Sequence, residues 1–562
     1  MTADEMMPDS ENPPFDVLLV GCGPVGQTLA NLLGGYNLRV CILDRETAHY
    51  PLPRAVHFDS EVMRVFQATG LAQAISGACR VNPGMLFKDK NDNLLLDWSR
   101  PMEVSDQQWH ASYRFHQPDL ESILLDGIKR FPNIQLQRGV EFLTFEQTES
   151  QSSVISHCRH IANEETFDIA ARFVVGCDGA NSSVSKQFAL DAEKLGFEER
   201  WLVCDLILNN EDFHLGDYTI QICDAERPTT YVRTPGRRRR WEIRLACNEF
   251  LTNSPADADV WNLLAAWISP KEAVIERAAV YTFRSRIASR WRSGRVFLAG
   301  DAAHQMPPFM GQGMCAGIRD VSNLAWKLAR ACLSKPNATG LHKNPSDHDW
   351  LDSYQYERKP NVRAYMETSI ECGKLLNKSY EPAELNAAIR RSDGTLHLHT
   401  PDARLGSYGE GETSNVQADR TKQGKDHQGV LSKQFTLDQS GIAGGPPKLL
   451  SDEVNHGGFI LYSSNSFVDS YNETDDHPAL LTNHACDIHL HAEHALTQNP
   501  STCTVITERQ VAEVPGYLDE LNVRAILIRP DRYIAGTACS INNLYELLNQ
   551  YGLDLEMPKE TS

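Results

Sequence analysis

Gly21, Gly23 and Gly26 share the spacing G-x-G-x-x-G within Gly21-Cys22-Gly23-Pro24-Val25-Gly26. In that spacing the first glycine permits a tight turn and the second lets backbone N–H groups approach a pyrophosphate. The third allows close helix packing. Phosphates then rest at the positive N-terminus of the following helix. Glycines here would also serve a turn alone, so the flanking pattern matters. Asp16-Val17-Leu18-Leu19-Val20 is a continuous apolar strand, and a helical pattern runs to about Leu33. A second strand, Leu38 to Leu43, ends at Asp44, whose carboxylate suits ribose hydroxyls; Arg45 follows it. Together these make the βαβ start of a dinucleotide-binding unit.

Far downstream, Gly300-Asp301-Ala302-Ala303-His304 precedes Pro307-Pro308 and Gly311-Gln312-Gly313-Met314. A strand from Val296 to Ala299 leads in. A long helix leads out, with Met314, Ile318, Val321, Leu324 and Leu328 at helical spacing and Pro336 closing it. An aspartate at a strand end followed by a glycine-rich helix entry is a second anchor for an extended cofactor. Asp301 can hold a ribityl hydroxyl, and the helix N-terminus can point N–H groups at a flavin pyrimidine ring. The alternative is a glycine loop needed only for its turn. Between the two anchors, Phe173-Val174-Val175-Gly176-Cys177-Asp178-Gly179 is another strand ending in an acidic turn.

With these three motifs in order, the chain resembles the class A flavoprotein aromatic hydroxylases, the para-hydroxybenzoate hydroxylase fold. Within them it most resembles 3-(3-hydroxyphenyl)propionate hydroxylase, through Pro53-Arg54-Ala55-Val56-His57-Phe58-Asp59, Cys223-Asp224-Ala225-Glu226-Arg227-Pro228 and Arg529-Pro530-Asp531-Arg532-Tyr533. The resemblance covers residues 15 to 385, and more loosely the C-terminal 110. It implies an α/β protein with a Rossmann-like FAD-binding domain, a mixed-sheet substrate domain and a C-terminal thioredoxin-like domain. The implied activity is FAD-dependent monooxygenation of a phenolic substrate by O2 through a flavin hydroperoxide, with NADH or NADPH as reductant. It also implies that Arg54 lies by the ribityl-phosphate with Gln117 facing the same region. Asp178 would touch both FAD and the nicotinamide path. The cofactor-binding set is thus Gly21, Gly23, Pro24, Val25, Gly26, Asp44, Arg45, Arg54, Gln117, Asp178, Asp301, Pro307, Gly311, Gly313 and Met314. One departure stands out: the acidic-turn motif usually ends in arginine, whereas this chain has Ser185 followed by Lys186. That leaves the choice of NADH or NADPH open.

Ring hydroxylation needs a dry pocket and gains from a base or proton relay near the phenol oxygen. Met306-Pro307-Pro308-Phe309-Met310 has the composition of a pocket wall. His57 and Tyr231 are the relay candidates, against readings as a packing histidine and an ordinary sheet tyrosine. Arg114, Arg233 and Arg244 are candidate clamps for a carboxylated substrate. His304 is expected to brace its loop.

The 562 residues exceed one core, and their net charge of −20 argues against nucleic-acid or anionic-membrane partners. The run Arg237-Arg238-Arg239-Arg240 follows Pro235-Gly236 and reads as a hairpin turn with a solvated edge. No apolar stretch is long enough to span a membrane. The 14 cysteines include no C-x-x-C, so no metal site or dithiol chemistry is expected; without a secretory signal they read as reduced, mostly buried thiols of a cytoplasmic protein. The domain plan is a disordered tail at 1–14 and an FAD-binding domain at 15–190 and 285–390. A substrate sheet at 191–284, a linker at 391–447 and the thioredoxin-like domain at 448–562 complete it. Lacking C-x-x-C, that last domain suits packing or homodimer formation. The alternatives in view are a tailoring monooxygenase of a polycyclic natural product and a non-catalytic flavin-binding protein. A flavin halogenase would carry Trp-x-Trp-x-Ile-Pro, which is absent.

Overall fold

The first strand, Phe15–Val20, is buried along nearly its whole length, as expected of a parallel strand covered on both faces. It pairs in parallel with Val40–Asp44 and Thr166–Gly176. Those strands in turn pair in parallel with Ile134–Arg138 and Val296–Leu298. Val140–Glu146 and Val154–His160 extend the sheet in antiparallel fashion. The strand expected from Leu38 begins at Val40. The computed structural model describes residues 15–48, 54–147, 153–188, 192–210, 215–246, 249, 255–333, 346–379, 400–401, 404–405, 427–437, 449–450, 452, 458–464, 466–467, 503–506, 513–551 and 553. The tail at 1–14, Pro336 and most of the linker at 391–447 fall outside them.

Five longer helices surround this sheet: α1 (Pro24–Gly35), α2 (Ser60–Ala68), α3 (Gln117–Ile128), α4 (Gly313–Leu333) and α5 (Ser346–Leu376). Helix α1 packs against α3 and α4. The side chain of Asp59 caps α2 by accepting from the Val62 N–H at 3.1 Å.

A second eight-stranded sheet runs in the order His304–Gln305, Ala273–Ala288, Ala192–Leu208, Arg238–Arg244, Thr229–Arg233, Thr219–Cys223, Gly84–Asp89, Leu94–Ser99. Its last two strands come from the N-terminal part of the chain. One face packs Leu202, Ile220, Tyr231, Trp241 and Ile243 against Val260 and Leu264 of a short helix. Because side chains alternate along a strand, the neighbours Thr219, Gln221, Thr230, Val232 and Glu242 face the other way. A small sheet of His57–Asp59, Ser112–Arg114 and Arg80–Val81 lies between the two large ones in the chain path.

The arginine run departs from its sequence reading. The turn forms, with Gly236 at φ +60°, but Arg239 and Arg240 are buried. Arg240 binds Asp205 through Nε and Nη2 at 2.7 and 3.0 Å, and this partner removes the charge penalty that had favoured a solvated edge. The described cysteines are free thiols, most of them buried, as expected. No described helix is long and apolar enough to cross a membrane.

The C-terminal part forms a four-stranded sheet in the order Cys503–Ile506, Phe459–Ser463, Ala525–Ile528, Ile534–Ala538. The first pair is parallel and the others antiparallel. Its last helix, Ile541–Gln550, buries Leu544, Leu547 and Leu548. Within the linker range, Ser432 and Gln434 are buried, and Gln434 bonds Gln67 at 2.9 Å. That piece is therefore packed onto α2.

Candidate active site

Most of the cofactor candidates gather at the C-terminal ends of the parallel strands, where an open α/β sheet binds its ligand. Gly21, at φ +105°, touches the Cys177–Asp178 turn: a Cβ here would sit 2.5 Å from the Cys177 carbonyl oxygen. A Cβ on Gly26 would lie 2.1 Å from the Gly21 carbonyl oxygen, so only glycine lets α1 start so close to the strand. At Gly23, by contrast, a Cβ would meet nothing within 4 Å. That open space lies at the N-cap of α1, which has Pro24 in its first turn, no side-chain cap and no acid. A pyrophosphate fits the vacant donors of such an end.

The other anchors close around this point. Val25 lies against Gly300, where a Cβ would be 3.2 Å from its Cγ2. Asp301 is exposed, yet the protein packed around its carboxyl desolvates it and raises its pKa above the usual range. Asp178 accepts N–H bonds from Ser183 and Val184 at 2.6 and 3.3 Å through one oxygen. Its other oxygen is buried without a hydrogen-bond partner among the described residues, and burial raises the carboxyl's pKa. An orphaned acceptor here fits a ligand hydroxyl or amide. Gln117 accepts from the Arg54 and Ala55 N–H groups at 2.8 and 2.7 Å, pinning the Arg54 segment. Arg240 adds a bond to the Arg54 carbonyl at 2.6 Å. Asp44 ends its strand as expected, accepting from the Glu46 N–H at 3.1 Å, while Arg45 is exposed and pairs with Glu46 at 3.3 Å. Pro307, Gly311, Gly313 and Met314 lie along the loop that enters α4; the Pro307 carbonyl accepts from Ser369 at 2.9 Å. His304 bonds Asp320 at 2.6 Å, and Asp320 also takes the Gly300 N–H, so His304 braces the loop as expected.

Across the loop Pro308 to Gln312, a pocket with about 620 Å³ of empty space, its mouth included, opens between the small sheet and the second large one. The loop contributes Phe309 and Met310, and the sheet contributes Met85 and Trp98; these make the apolar wall. The polar wall holds His57, Asn82, Ser112, Arg114, Gln221 and Glu242. Arg114 is buried and donates to Thr219 Oγ1, while its Nε has no hydrogen-bond partner among the described residues. Among the described residues no carboxylate reaches ion-pair distance of it. Burial lowers its pKa to about 10, so it stays a cation at neutral pH. Burial also raises the Glu242 carboxyl.

His57 does line the pocket, but both ring nitrogens are engaged. Nδ1 is 3.2 Å from the Gly311 carbonyl and Nε2 is 2.8 Å from Ser112 Oγ. A carbonyl only accepts, so Nδ1 carries the proton and Nε2 accepts from Ser112. Ser112 in turn accepts from Asn82 at 2.8 Å. Burial, reinforced by Arg114, depresses the His57 pKa to about 3. Tyr231 does not reach the pocket, because period-two alternation turns it to the opposite face, among Trp241 and Trp267. Of the three candidate clamps, Arg114 alone lines the pocket. Arg233 pairs with Asp217 at 2.6 Å, and Arg244 donates to the Ala225 carbonyl at 2.5 Å. Sequence reading missed Asn82, Ser112, Gln221 and Glu242. For Ser112, Gln221 and Glu242 the signal was a polar residue alternating with apolar ones along a strand; Asn82 lies outside any strand and gave none.

Residues 14–369 match the family described as FAD binding domain. A protein named probable NADH-specific resorcinol 4-hydroxylase, from Rhodococcus jostii (strain RHA1), is 37% identical over 377 residues, 67% of this chain and 68% of that protein. A 3-(3-hydroxy-phenyl)propionate/3-hydroxycinnamic acid hydroxylase from Mycolicibacterium gilvum (strain PYR-GCK) is 32% identical over 408 residues, 71% of this chain and 66% of that protein. The match thus spans about two thirds of the length of these relatives. Among solved structures, the flavin-dependent monooxygenase PieE with FAD and substrate superposes at a TM-score of 0.71 and 18% identity, over 97% of this chain and 99% of that one. Aklavinone-11 hydroxylase with FAD and aklavinone gives 0.70 and 18%, over 96% and 99%. At such identities these two report the fold alone, and they report it across the C-terminal sheet as well. The expected resemblance is borne out: this chain belongs to the FAD-binding family that contains these aromatic hydroxylases.

Proposed function

We propose that this chain hydroxylates a small phenol, with FAD as cofactor and NADH as electron donor. The observation that carries the reading is the pocket itself. One wall is the glycine-rich loop entering α4, the other is a sheet face, and between them stands a buried arginine with no carboxylate at ion-pair distance among the described residues. NADH is favoured by the name of the Rhodococcus relative, and both relatives act on single-ring phenols by name.

The redox and oxygen-activating chemistry is what FAD supplies when bound. The chain supplies position, charge and dryness. Gly21, Gly23 and the open end of α1 receive the pyrophosphate, and Asp301 and Asp178 receive hydroxyl or amide groups further along. Phe309 and Met310 keep water from the reacting face. Arg114 draws a phenol oxygen or a carboxylate by charge, and Gln221 and Thr230 complete its orientation. His57 is a member of that wall as a neutral imidazole; it holds Ser112 and the Gly311 carbonyl rather than taking a proton. The C-terminal sheet, with one parallel pair and two antiparallel pairs between helices, supports a thioredoxin-like arrangement without dithiol chemistry.

The test is an absorbance spectrum of the purified protein, then NADH oxidation with resorcinol, 3-(3-hydroxyphenyl)propionate and a panel of other phenols. A yellow protein with O2-dependent oxidation stimulated by one of these is the expected result. A colourless protein that cannot take up FAD overturns the proposal. A yellow protein indifferent to every small phenol transfers it to larger polycyclic substrates.

A further inference from the structure

The segment Arg529-Pro530-Asp531-Arg532-Tyr533, one of those that carried the resemblance, belongs to the C-terminal sheet but is buried against the FAD-binding part. Arg529 makes a two-pronged bond to Glu357 of α5 at 2.7 and 2.9 Å, and Asp531 accepts from Asn323 of α4 at 2.8 Å. These contacts dock the segment. Tyr533 does something further. Its hydroxyl donates to one oxygen of Glu61 on α2. The other Glu61 oxygen accepts from Arg319 Nε of α4 at 2.6 Å. Arg319 Nη1 then donates to the Gln312 side chain at 2.9 Å, and its Nη2 to Asp59. Gln312 closes the ring with a 3.1 Å bond to Asp59. Gln312 lines the pocket and its neighbour Gly311 accepts from His57. Tyr533, Glu61, Arg319 and Gln312 are all buried. A continuous hydrogen-bonded path therefore runs from the C-terminal sheet to the loop that walls the pocket.

We infer that Tyr533 is a positioning residue, through which the C-terminal sheet holds the pocket loop 306–312 in place. One guanidinium serves two carboxylates in this path, Asp59 and Glu61, so the balance depends on a further donor to Glu61. Without the Tyr533 hydroxyl, a buried Glu61 oxygen loses that bond and Glu61 competes for the Arg319 N–H groups that hold Gln312 and Asp59. The loop then loosens while the docking contacts of Arg529 and Asp531 remain.

The test uses the full-length, FAD-loaded protein and reads backbone hydrogen exchange in peptides covering 306–314. Tyr533→Phe, which removes one atom, is expected to speed exchange there about fivefold to tenfold, the size of one buried hydrogen bond. Arg532→Met is the structural control: Arg532 bonds Asp452 at 3.2 Å in the same segment but lies off the path. It is expected to lower the melting temperature and leave exchange at 306–314 unchanged. Equal exchange in Tyr533→Phe and the parent overturns the inference, as does an equal rise in both variants. If Tyr533→Phe cannot be purified, Glu61→Gln tests the same path with the same readout. The exchange result stands whatever the substrate, so it fails separately from the proposed phenol hydroxylation. Where hydroxylation is found, Tyr533→Phe is also expected to divert more NADH to hydrogen peroxide than Arg532→Met does.

Discussion

The proposed cofactor cradle and the proposed substrate pocket meet at one loop but are built in opposite ways. The cradle works by what is missing: no Cβ at Gly21, Gly23 or Gly26, no cap on α1, no hydrogen-bond partner among the described residues for one Asp178 oxygen. The pocket works by what is added: Arg114, Glu242, Gln221 and His57, side chains from separate strands that converge across a sheet face. A cradle made of backbone tolerates almost no substitution and serves any reaction that uses the same dinucleotide. A wall made of side chains can be rewritten one residue at a time, and there the choice of substrate resides.

Substitutions in each half should therefore fail differently. The largest effect is expected at Gly26→Ala, where the new methyl would lie 2.1 Å from a carbonyl oxygen. Overpacking of this kind should cost about 3 kcal/mol of stability or more and yield protein without FAD. Gly23→Ala sharpens the point, because its methyl meets no protein atom within 4 Å. The apoprotein should melt as the parent does while FAD affinity drops about tenfold or more, read by titrating apoprotein with FAD. If Gly23→Ala binds FAD normally, the open space is not the pyrophosphate site.

Next in size is Arg114→Met. It should keep its full FAD content and lose about 2 kcal/mol of phenol binding, roughly thirtyfold in Kd by calorimetry. Unchanged binding would reduce Arg114 to a structural cation. A separate effect concerns pH and His57, whose pKa is about 3 folded against an ordinary value of 6.5. Between those values the unfolded chain binds more protons, so stability falls as pH drops from about 6.5 toward 3. His57→Gln should flatten this acid limb in urea unfolding at stepped pH; an identical limb would show that His57 is not the group responsible. The smallest effect is expected at Tyr231→Phe, on the far face of the sheet. Its kcat/KM should stay within about twofold and its stability within about 1 kcal/mol; a large loss of kcat would return Tyr231 to the chemistry.

The same contrast explains what sequence reading could see. The cradle was legible because its constraints are local. A turn, a helix start and a strand end must follow one another within a few residues, and glycine marks the places where a Cβ cannot fit. The substrate side was legible only as candidates, His57, Arg114 and the 306–310 loop among them, because its meaning depends on partners far away in the chain. Tyr231 looked like a relay until strand pairing placed it on the packed face. The four arginines at 237–240 looked solvated because Asp205, which neutralises Arg240, lies on another strand. The Arg529–Tyr533 segment could be recognised as similar to relatives, but nothing local shows that it plugs into α2, α4 and α5.

From sequence alone follow the dinucleotide motif, the flavin as its most fitting occupant and the loop with the composition of a pocket wall. Each of these rests on backbone geometry or on a period short enough to be written in neighbouring residues. Only the tertiary structure decided that Arg114 is a buried cation of the pocket, that His57 is locked as a neutral imidazole and that Tyr533 reaches the pocket loop through Glu61 and Arg319. Those outcomes depend on burial and on charge partners brought together from distant segments, and a buried charge is defined by its surroundings rather than by its place in the chain.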